Sequence, residues 1–229
     1  MTQDFNDSVL VCIAPHPDDE TLGCAGFLLR AKALGAKIYW VIITEVKGTD
    51  PEVVEFRKKR DAEIQQVSEL YNFDAVYELK FESAALCCRE QLKLIPLLSE
   101  IIDETQCSHL LVPYRNDIHS DHKIVHDAAL SASKSFRSKS VVEILMYETL
   151  SETDFSIRYD DPGFKPNVFI NIEDYLAKKI EILSIFESEI YPMPFPRSIS
   201  ATEALATLRG VQANVTSAEA FVSLKRIIK

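Results

Sequence analysis

Apolar residues run almost without a break over 9–14 (VLVCIA) and stop at Pro15-His16-Pro17-Asp18-Asp19-Glu20. A short apolar run closed by turn formers predicts a strand buried on both faces of a parallel sheet. Thr21-Leu22-Gly23-Cys24-Ala25-Gly26 follow, small residues that let a helix lie close on a sheet, and Gly35 ends that helix. The pattern then repeats. A second strand is predicted over 37–44 (KIYWVIIT), then a loop over 45–51 with Gly48 and Asp50. Over 52–71, Val53, Phe56, Ile64, Val67 and Leu70 fall roughly at helical spacing. A third strand follows over 75–81, then a helix over 92–102 that Pro96 should kink or start. The fourth strand is 109–113 (HLLVP), followed by a polar loop over 114–120. A helix over 121–136, capped by Ser120 or Asp121, leads to a fifth strand over 141–148.

Strand and helix alternating in this way predict an α/β fold, a Rossmann-like three-layer sandwich with a mostly parallel sheet and helices on both faces. The last third departs from the alternation. Residues 151–171 hold Asp160-Asp161-Pro162-Gly163 and Lys165-Pro166, both turn formers, then a short VFINI strand. A helix is expected over 173–189. Residues 191–197 contain three prolines and read as an extended loop, a rim or a lid. A helix over 200–210 is expected to end at Gly210. With no linker, repeat or low-complexity tract, residues 1–229 read as a single domain, long enough for one sizeable core.

Composition narrows the classes of function. No long charge-free apolar span is present, and the acidic, polar start MTQDFNDS lacks a signal-peptide pattern, so a cytoplasmic location without membrane insertion is expected. Cys12, Cys24, Cys87, Cys88 and Cys107 are an odd number without zinc-finger spacing and read as buried free thiols. A net charge of -10 argues against a nucleic-acid partner and mildly against an anionic membrane surface. The longest basic cluster, Arg57-Lys58-Lys59-Arg60, has Glu52, Glu55, Asp61 and Glu63 around it and reads mostly as a solvated face. A small-molecule partner is expected, and a homo-oligomer is open.

The chemistry concentrates at two places. One imidazole and three carboxylates follow the first strand, and Asn116-Asp117-Ile118-His119-Ser120-Asp121-His122 follow the fourth. Both clusters should therefore meet at the carboxyl edge of one sheet, where α/β folds bind ligands. Nitrogen and oxygen donors without thiolate suit zinc or another divalent transition ion. The bland alternative makes both clusters helix caps. His109 begins a strand and reads as structural. His126, one turn after His122, could extend a zinc pair, but it lacks neighbouring carboxylates and reads as a core or supporting residue. Arg60 is either a substrate anion contact or a salt bridge to Glu63. Arg197, beside Phe195, is either a fork for a phosphate or carboxylate or part of a structural loop.

HPDDE after the first strand together with His119-Ser120-Asp121-His122 after a later one resembles the LmbE-like, or PIG-L, family of zinc-dependent N-deacetylases. Arg60-x-x-Glu63 is similar to the family's arginine helix, and Ala218-Glu219-Ala220-Phe221 to its closing motif. DIHSDH, YETLSET, PNVFI, PFPRS and ALATLRG look closest to a branch encoded with bacterial surface-polysaccharide genes. The resemblance implies one Zn2+ held by His16, Asp19 and His122. It implies Asp18 as general base, His119 as electrostatic or acid partner, and Asp121 as the carboxylate orienting that histidine. Arg60, Asn116 and Arg197 are the candidate substrate contacts. The implied reaction removes the acetyl group from an N-acetylated amino sugar or its conjugate, in surface glycan or glycoconjugate biosynthesis. Leu70-Tyr71 departs from the family's Leu-Gly pair. Two rival readings remain. A Rossmann-type nucleotide module lacks its G-x-G-x-x-G here and would face carboxylates where a pyrophosphate must sit. A metal-dependent phosphoesterase usually needs two metals.

Overall fold

The structure, a computed structural model, describes residues 5–157, 159 and 161–228. Residues 1–4 of the acidic N-terminus and Asp160 of the turn-rich run lie outside the described residues. Among the described residues, seven strands form one sheet. β1 (Val9–Ala14), β2 (Lys37–Glu45), β3 (Ala75–Glu82), β4 (His109–Pro113) and β5 (Glu143–Tyr147) are parallel, in the spatial order β3-β2-β1-β4-β5. β6 (Val168–Asn171) and β7 (Ala218–Arg226) complete it, with β7 antiparallel between β5 and β6. The helices are α1 (Asp19–Ala33), α2 (Pro51–Tyr71), α3 (Cys88–Thr105), α4 (Ser120–Ala132), α5 (Leu176–Leu183) and α6 (Ile199–Ala213). No helix among the described residues is long and apolar enough to cross a membrane.

Side chains alternate across a strand, so each buried strand feeds two cores. Leu10, Cys12 and Ala14 of β1 join Trp40, Ile64, Val67 and Ile182 on the face covered by α1, α2 and α5. Val11 and Ile13 join Val41, Leu98, Ile102 and Val125 on the face covered by α3 and α4. Three layers result. The chain builds outward from β1 through β2 to β3, then crosses to β4 on the other side. That reversal opens a crevice between the carboxyl ends of β1 and β4. HPDDE leaves β1 there and the His119–His122 cluster leaves β4 there.

α1 is broken in its middle, where Cys24 leaves helical geometry (φ -146°, ψ 21°). The N–H groups of Gly26 and Phe27 donate instead to the Glu219 carboxylate of β7, at 2.9 and 2.8 Å. Lys179 of α5 donates to the same carboxylate at 2.8 Å and to the Leu22 carbonyl at 2.9 Å. A buried charge is thereby matched by a buried charge and two backbone donors. The first half of α1 lies on the ring of Tyr147: a Cβ on Gly23 would stand 2.3 Å from Tyr147 Cδ2. Gly23→Ala is expected to lower stability by about 1–3 kcal/mol, the cost of overpacking, a fall in Tm of about 2–12 °C in a thermal melt.

Several boundaries differ from the sequence reading. α3 begins at Cys88 and runs through Pro96 to Thr105. The carbonyl that the proline leaves free belongs to Leu92, which is 72% exposed, so water can serve it. α4 stops at Ala132, and its cap is neither Ser120 nor Asp121: the His119 ring accepts from Asp121 N. The expected helix over 173–189 is helical only over Leu176–Leu183, and beyond it Ser188 Oγ accepts from Arg60 Nη2 at 2.9 Å. Gly210 does not end α6, which continues to Ala213 and closes on left-handed Asn214 (φ 57°). The glycine answers a close approach, since a Cβ there would lie 2.8 Å from Ser217 N. Residues 191–197 are free of helix and strand, as expected. Cys12, Cys24 and Cys107 are buried thiols, whereas Cys87 and Cys88 are exposed.

Candidate active site

The loop between β1 and α1 is clamped from several sides. Pro15 O accepts from Thr44 N and Oγ1 at 3.1 and 2.8 Å, His16 N donates to Asp19 Oδ2 at 2.8 Å, and Arg60 Nη1 donates to Pro17 O at 3.0 Å. Asp18 takes a backbone conformation foreign to a residue with a Cβ (φ 136°, ψ -25°). Its N–H donates to Glu20 Oε2 at 3.1 Å, and Thr21 Oγ1 donates to Glu20 Oε1 at 2.5 Å. Glu20 thus holds the strained turn rather than facing the crevice. Burial pushes its carboxyl up to about 8. Tyr71, in place of the glycine of the resemblance, is buried under this loop with its hydroxyl 3.0 Å from Thr21 Oγ1. Asn72 takes the left-handed position after α2 (φ 55°). Asp18 and Asp19 supply no side-chain cap to α1, so the cap reading fails for this cluster.

His16, Asp19 and His122 present donor atoms within 4.8 Å of one another. His122 Nε2 is 3.4 Å from Asp19 Oδ2 and, although buried, makes no hydrogen bond. His16 Nδ1 is 3.3 Å from the same oxygen. Each ring is held by a carboxylate at its far nitrogen: His122 Nδ1 lies 2.7 Å from Asp117 Oδ2, and His16 Nε2 3.2 Å from Asp121 Oδ2. A carboxylate behind each imidazole is the arrangement that orients metal-binding histidines and raises their basicity. Against burial, Asp121 and Asp19 raise His16 to about 9, and Asp19 and Asp117 raise His122 well above the ordinary histidine value. Asp19, against burial, is lowered by His122 and His16. The pocket favours added positive charge, as a cation site must. A second group, His16, His119 and Asp121, is also within reach, but it shares His16 with the first. Asp121 moreover already accepts from Ala84 N at 2.8 Å and Leu86 N at 3.2 Å. The donors present therefore fit one divalent ion at His16, Asp19 and His122.

The sequence reading paired Asp121 with His119. The carboxylate is instead on His16, and Asp121 Oδ2 stands 3.9 Å from His119 Nδ1. The link to His119 is the backbone: Asp121 N donates to Nδ1 at 3.2 Å. A neutral His119 accepting there carries its proton on Nε2. Burial and His16 lower it to about 4, which favours the neutral ring. Asp117 stood unassigned in the sequence reading. The visible signal was a carboxylate five residues before His122 in a loop after a strand. Asp117 also accepts from Thr153 Oγ1 at 2.6 Å. Asp117→Ala is expected to weaken metal binding about 10–100-fold with the fold retained, read by metal titration.

A cavity of about 260 Å³ opens beside these donors, lined by His16, Asp18, Asp19, His119 and residues of α2 and β3. Burial, Asp19 and Glu189 push Asp18 up to about 7, while Arg197 and Arg60 pull it back. Arg197 Nη1 is 3.3 Å from Asp18 Oδ2 and 3.2 Å from Glu189 Oε2, so the proline loop does reach the site. Arg60 is tied to Glu63 at 3.3 Å, to Ser188 Oγ at 2.9 Å and to Glu189. Both arginines line the cavity with their guanidinium groups already engaged. Asn116 is not among the residues lining the cavity; its carbonyl accepts from Ser156 Oγ. His126 is buried with Nδ1 2.9 Å from Pro113 O, and His109 has Ser108 Oγ at 2.8 Å, both structural contacts.

Fold and site together define an α/β protein in which, among the described residues, two overlapping three-donor groups that could hold a metal ion stand at the reversal of the sheet. The chain belongs to the PIG-L family: the family model described as GlcNAc-PI de-N-acetylase matches residues 11–133, a span that holds both loops of the site. A diacetylchitobiose deacetylase of Thermococcus kodakarensis is 22% identical over 203 residues, 82% of this chain and 73% of that protein. Among solved structures, the N,N'-diacetylchitobiose deacetylase of Pyrococcus horikoshii with its inhibitor aligns at TM-score 0.77 and 18% identity, covering 98% of this chain and 86% of that one. The 4-carboxy-2-hydroxymuconate hydratase of Pseudomonas putida KT2440 aligns at TM-score 0.76 and 15% identity, covering 97% and 98%. At these identities the two structures speak to the fold alone.

Proposed function

We propose that this chain is a zinc-dependent N-deacetylase that removes the acetyl group from an N-acetylated amino sugar or its conjugate. The observation that carries the reading is the pair of imidazoles converging on Asp19, each backed by its own carboxylate, with His122 Nε2 buried and unbonded. His16, Asp19 and His122 would hold the ion. When bound, zinc supplies Lewis acidity toward an amide carbonyl and lowers the pKa of its water to about 7.

The remaining chemistry belongs to the chain. Asp18 takes a proton from the attacking water as the water oxygen bonds to the acetyl carbon. His119 donates from Nε2 to the carbonyl oxygen as negative charge gathers there. Asp18 then passes its proton to the nitrogen as the carbon–nitrogen bond breaks, leaving acetate and a free amine. Asp121 and Asp117 keep the two ligand rings turned toward Asp19. Among the described residues the two donor groups share His16 and so do not form two independent sites, which weighs against a two-metal phosphoesterase.

Assay of the zinc-loaded protein for released acetate on a panel of N-acetyl sugars tests the proposal. One zinc per chain with acetate release is expected. Addition of water to a double bond without acetate release would favour the chemistry of the hydratase instead. Arg197, paired with Asp18, is expected to act on the base and not on one class of substrate. Arg197→Ala should reduce kcat/KM about tenfold on neutral and charged sugars alike, the loss of a charge-assisted contact at the low end of its range. A loss confined to charged sugars would make Arg197 the anion contact.

A further inference from the structure

Four cationic side chains line the cavity: Arg57, Arg60, Lys80 and Arg197. Arg60 and Arg197 are held by Glu63, Glu189 and Asp18. Lys80 stands 3.9 Å from Glu78, at the limit of ion-pair contact. Arg57 is different. It is half-buried, and among the described residues its guanidinium makes no hydrogen bond, ion pair or ring contact. Asp61, one helical turn on and also in the lining, stays beyond ion-pair distance. Five donors in a rigid fork are thus left unengaged on the wall of a site that already holds its own catalytic charges.

The backbone of β3 adds a second observation. Ile42 pairs with Glu78 and Thr44 with Phe81, so β3 carries one residue more than β2 over this stretch. Lys80 sits inside that bulge in the left-handed region (φ 56°), a strained place for a residue with a Cβ. Bulges beside active sites re-aim a side chain, and Lys80 lines the cavity with Arg57. The basic cluster that reads in sequence as a solvated face therefore divides: Lys58 and Lys59 are exposed, while Arg57 and Arg60 line the cavity.

We propose that Arg57, supported by Lys80, forms an anion subsite, so that the amino-sugar substrate carries a phosphate or carboxylate group away from its acetamide. The proposal rests on the deacetylase reading for the acetamide end only. A guanidinium fork matches the paired oxygens of either anion. Among the described residues no lining carboxylate contacts the Arg57 guanidinium: Glu189 and Asp18 are taken by arginines, Glu45 by Lys47, Asp19 by the histidines, Glu152 accepts from Ser151, Glu78 faces Lys80, and Asp61 stays beyond ion-pair distance.

The test compares wild type with Arg57→Gln and Lys80→Gln on three sugars: N-acetylglucosamine 1-phosphate, 2-acetamido-2-deoxyglucuronate and neutral N,N'-diacetylchitobiose. The ratio of kcat/KM for an anionic sugar to that for the neutral one is expected to fall about 10–100-fold in Arg57→Gln, through KM, and less in Lys80→Gln. The anion whose ratio falls identifies the group. A ratio unchanged for both anions overturns the proposal. Calorimetric binding of glucosamine 1-phosphate and of 2-amino-2-deoxyglucuronate separates this result from failure of the deacetylase reading. If no sugar releases acetate, weaker binding of either by Arg57→Gln than by wild type still upholds the subsite. Equal binding by both proteins, or none by either, overturns it.

Discussion

Substituting His122 by alanine is expected to cost the protein its metal and its activity together. His122 is fully buried, its Nε2 faces Asp19 without a hydrogen bond, and its Nδ1 is fixed by Asp117. Two donors remain in the variant, one imidazole and one carboxylate, too few for the three protein ligands of a catalytic zinc. Zinc per chain should fall toward zero and turnover to background, while circular dichroism keeps its α/β form. Asp19→Ala should do the same, and it should also release His16 N, which the Asp19 carboxylate holds at 2.8 Å. Zinc retained at one per chain in His122→Ala would remove this residue from the ligand set. The second cluster, around Asp121, would then be the place to look.

Asp18→Asn is expected to keep the metal and lower kcat by about 10²–10⁴-fold, the contribution typical of a positioned general base. The amide is nearly the same size as the carboxylate but takes no proton from water. Burial and the neighbouring carboxylates place Asp18 at about 7, near a working pH, which suits it to exchange protons with water and amine. Its strained backbone, held by Glu20, points to a residue kept in place against its own preference. Wild-type kcat in the variant, with zinc intact, would mean that another group takes the proton.

The parallel strands were legible because each is a short apolar run closed by turn formers, and burial on both faces of a sheet produces that run directly. The position of the site was legible for a related reason. Ionisable groups follow two of those strands, His16 directly after β1 and His122 just past the polar loop after β4, and parallel strands share one carboxyl edge. Pairings inside the site were less so. Asp121 and Asp117 both lie near His119 and His122 in sequence, yet Asp121 backs His16, 105 positions away, a pairing made only where the loops after β1 and β4 meet. The closing motif at 218–221 does not read as the start of a strand because a buried carboxylate, Glu219, interrupts its apolar pattern and the antiparallel insertion of β7 breaks the alternation of strand and helix. Gly210 misled as a helix stop since its small size serves a neighbouring backbone and not a turn.

The tie between Glu219 and the broken middle of α1 also spans most of the polypeptide, with 193 positions separating Gly26 from its acceptor. During synthesis both loops of the candidate site leave the ribosome long before Glu219 does. Until β7 arrives, Lys179 lacks its counter-charge and the N–H groups of Gly26 and Phe27 lack their acceptor. Closing so long a loop is entropically costly, and pairings this distant form slowly. The middle of α1 is consequently fixed only once β7 has been made, so earlier lengths of the chain carry the residues of the candidate site without the contact that holds the helix behind them.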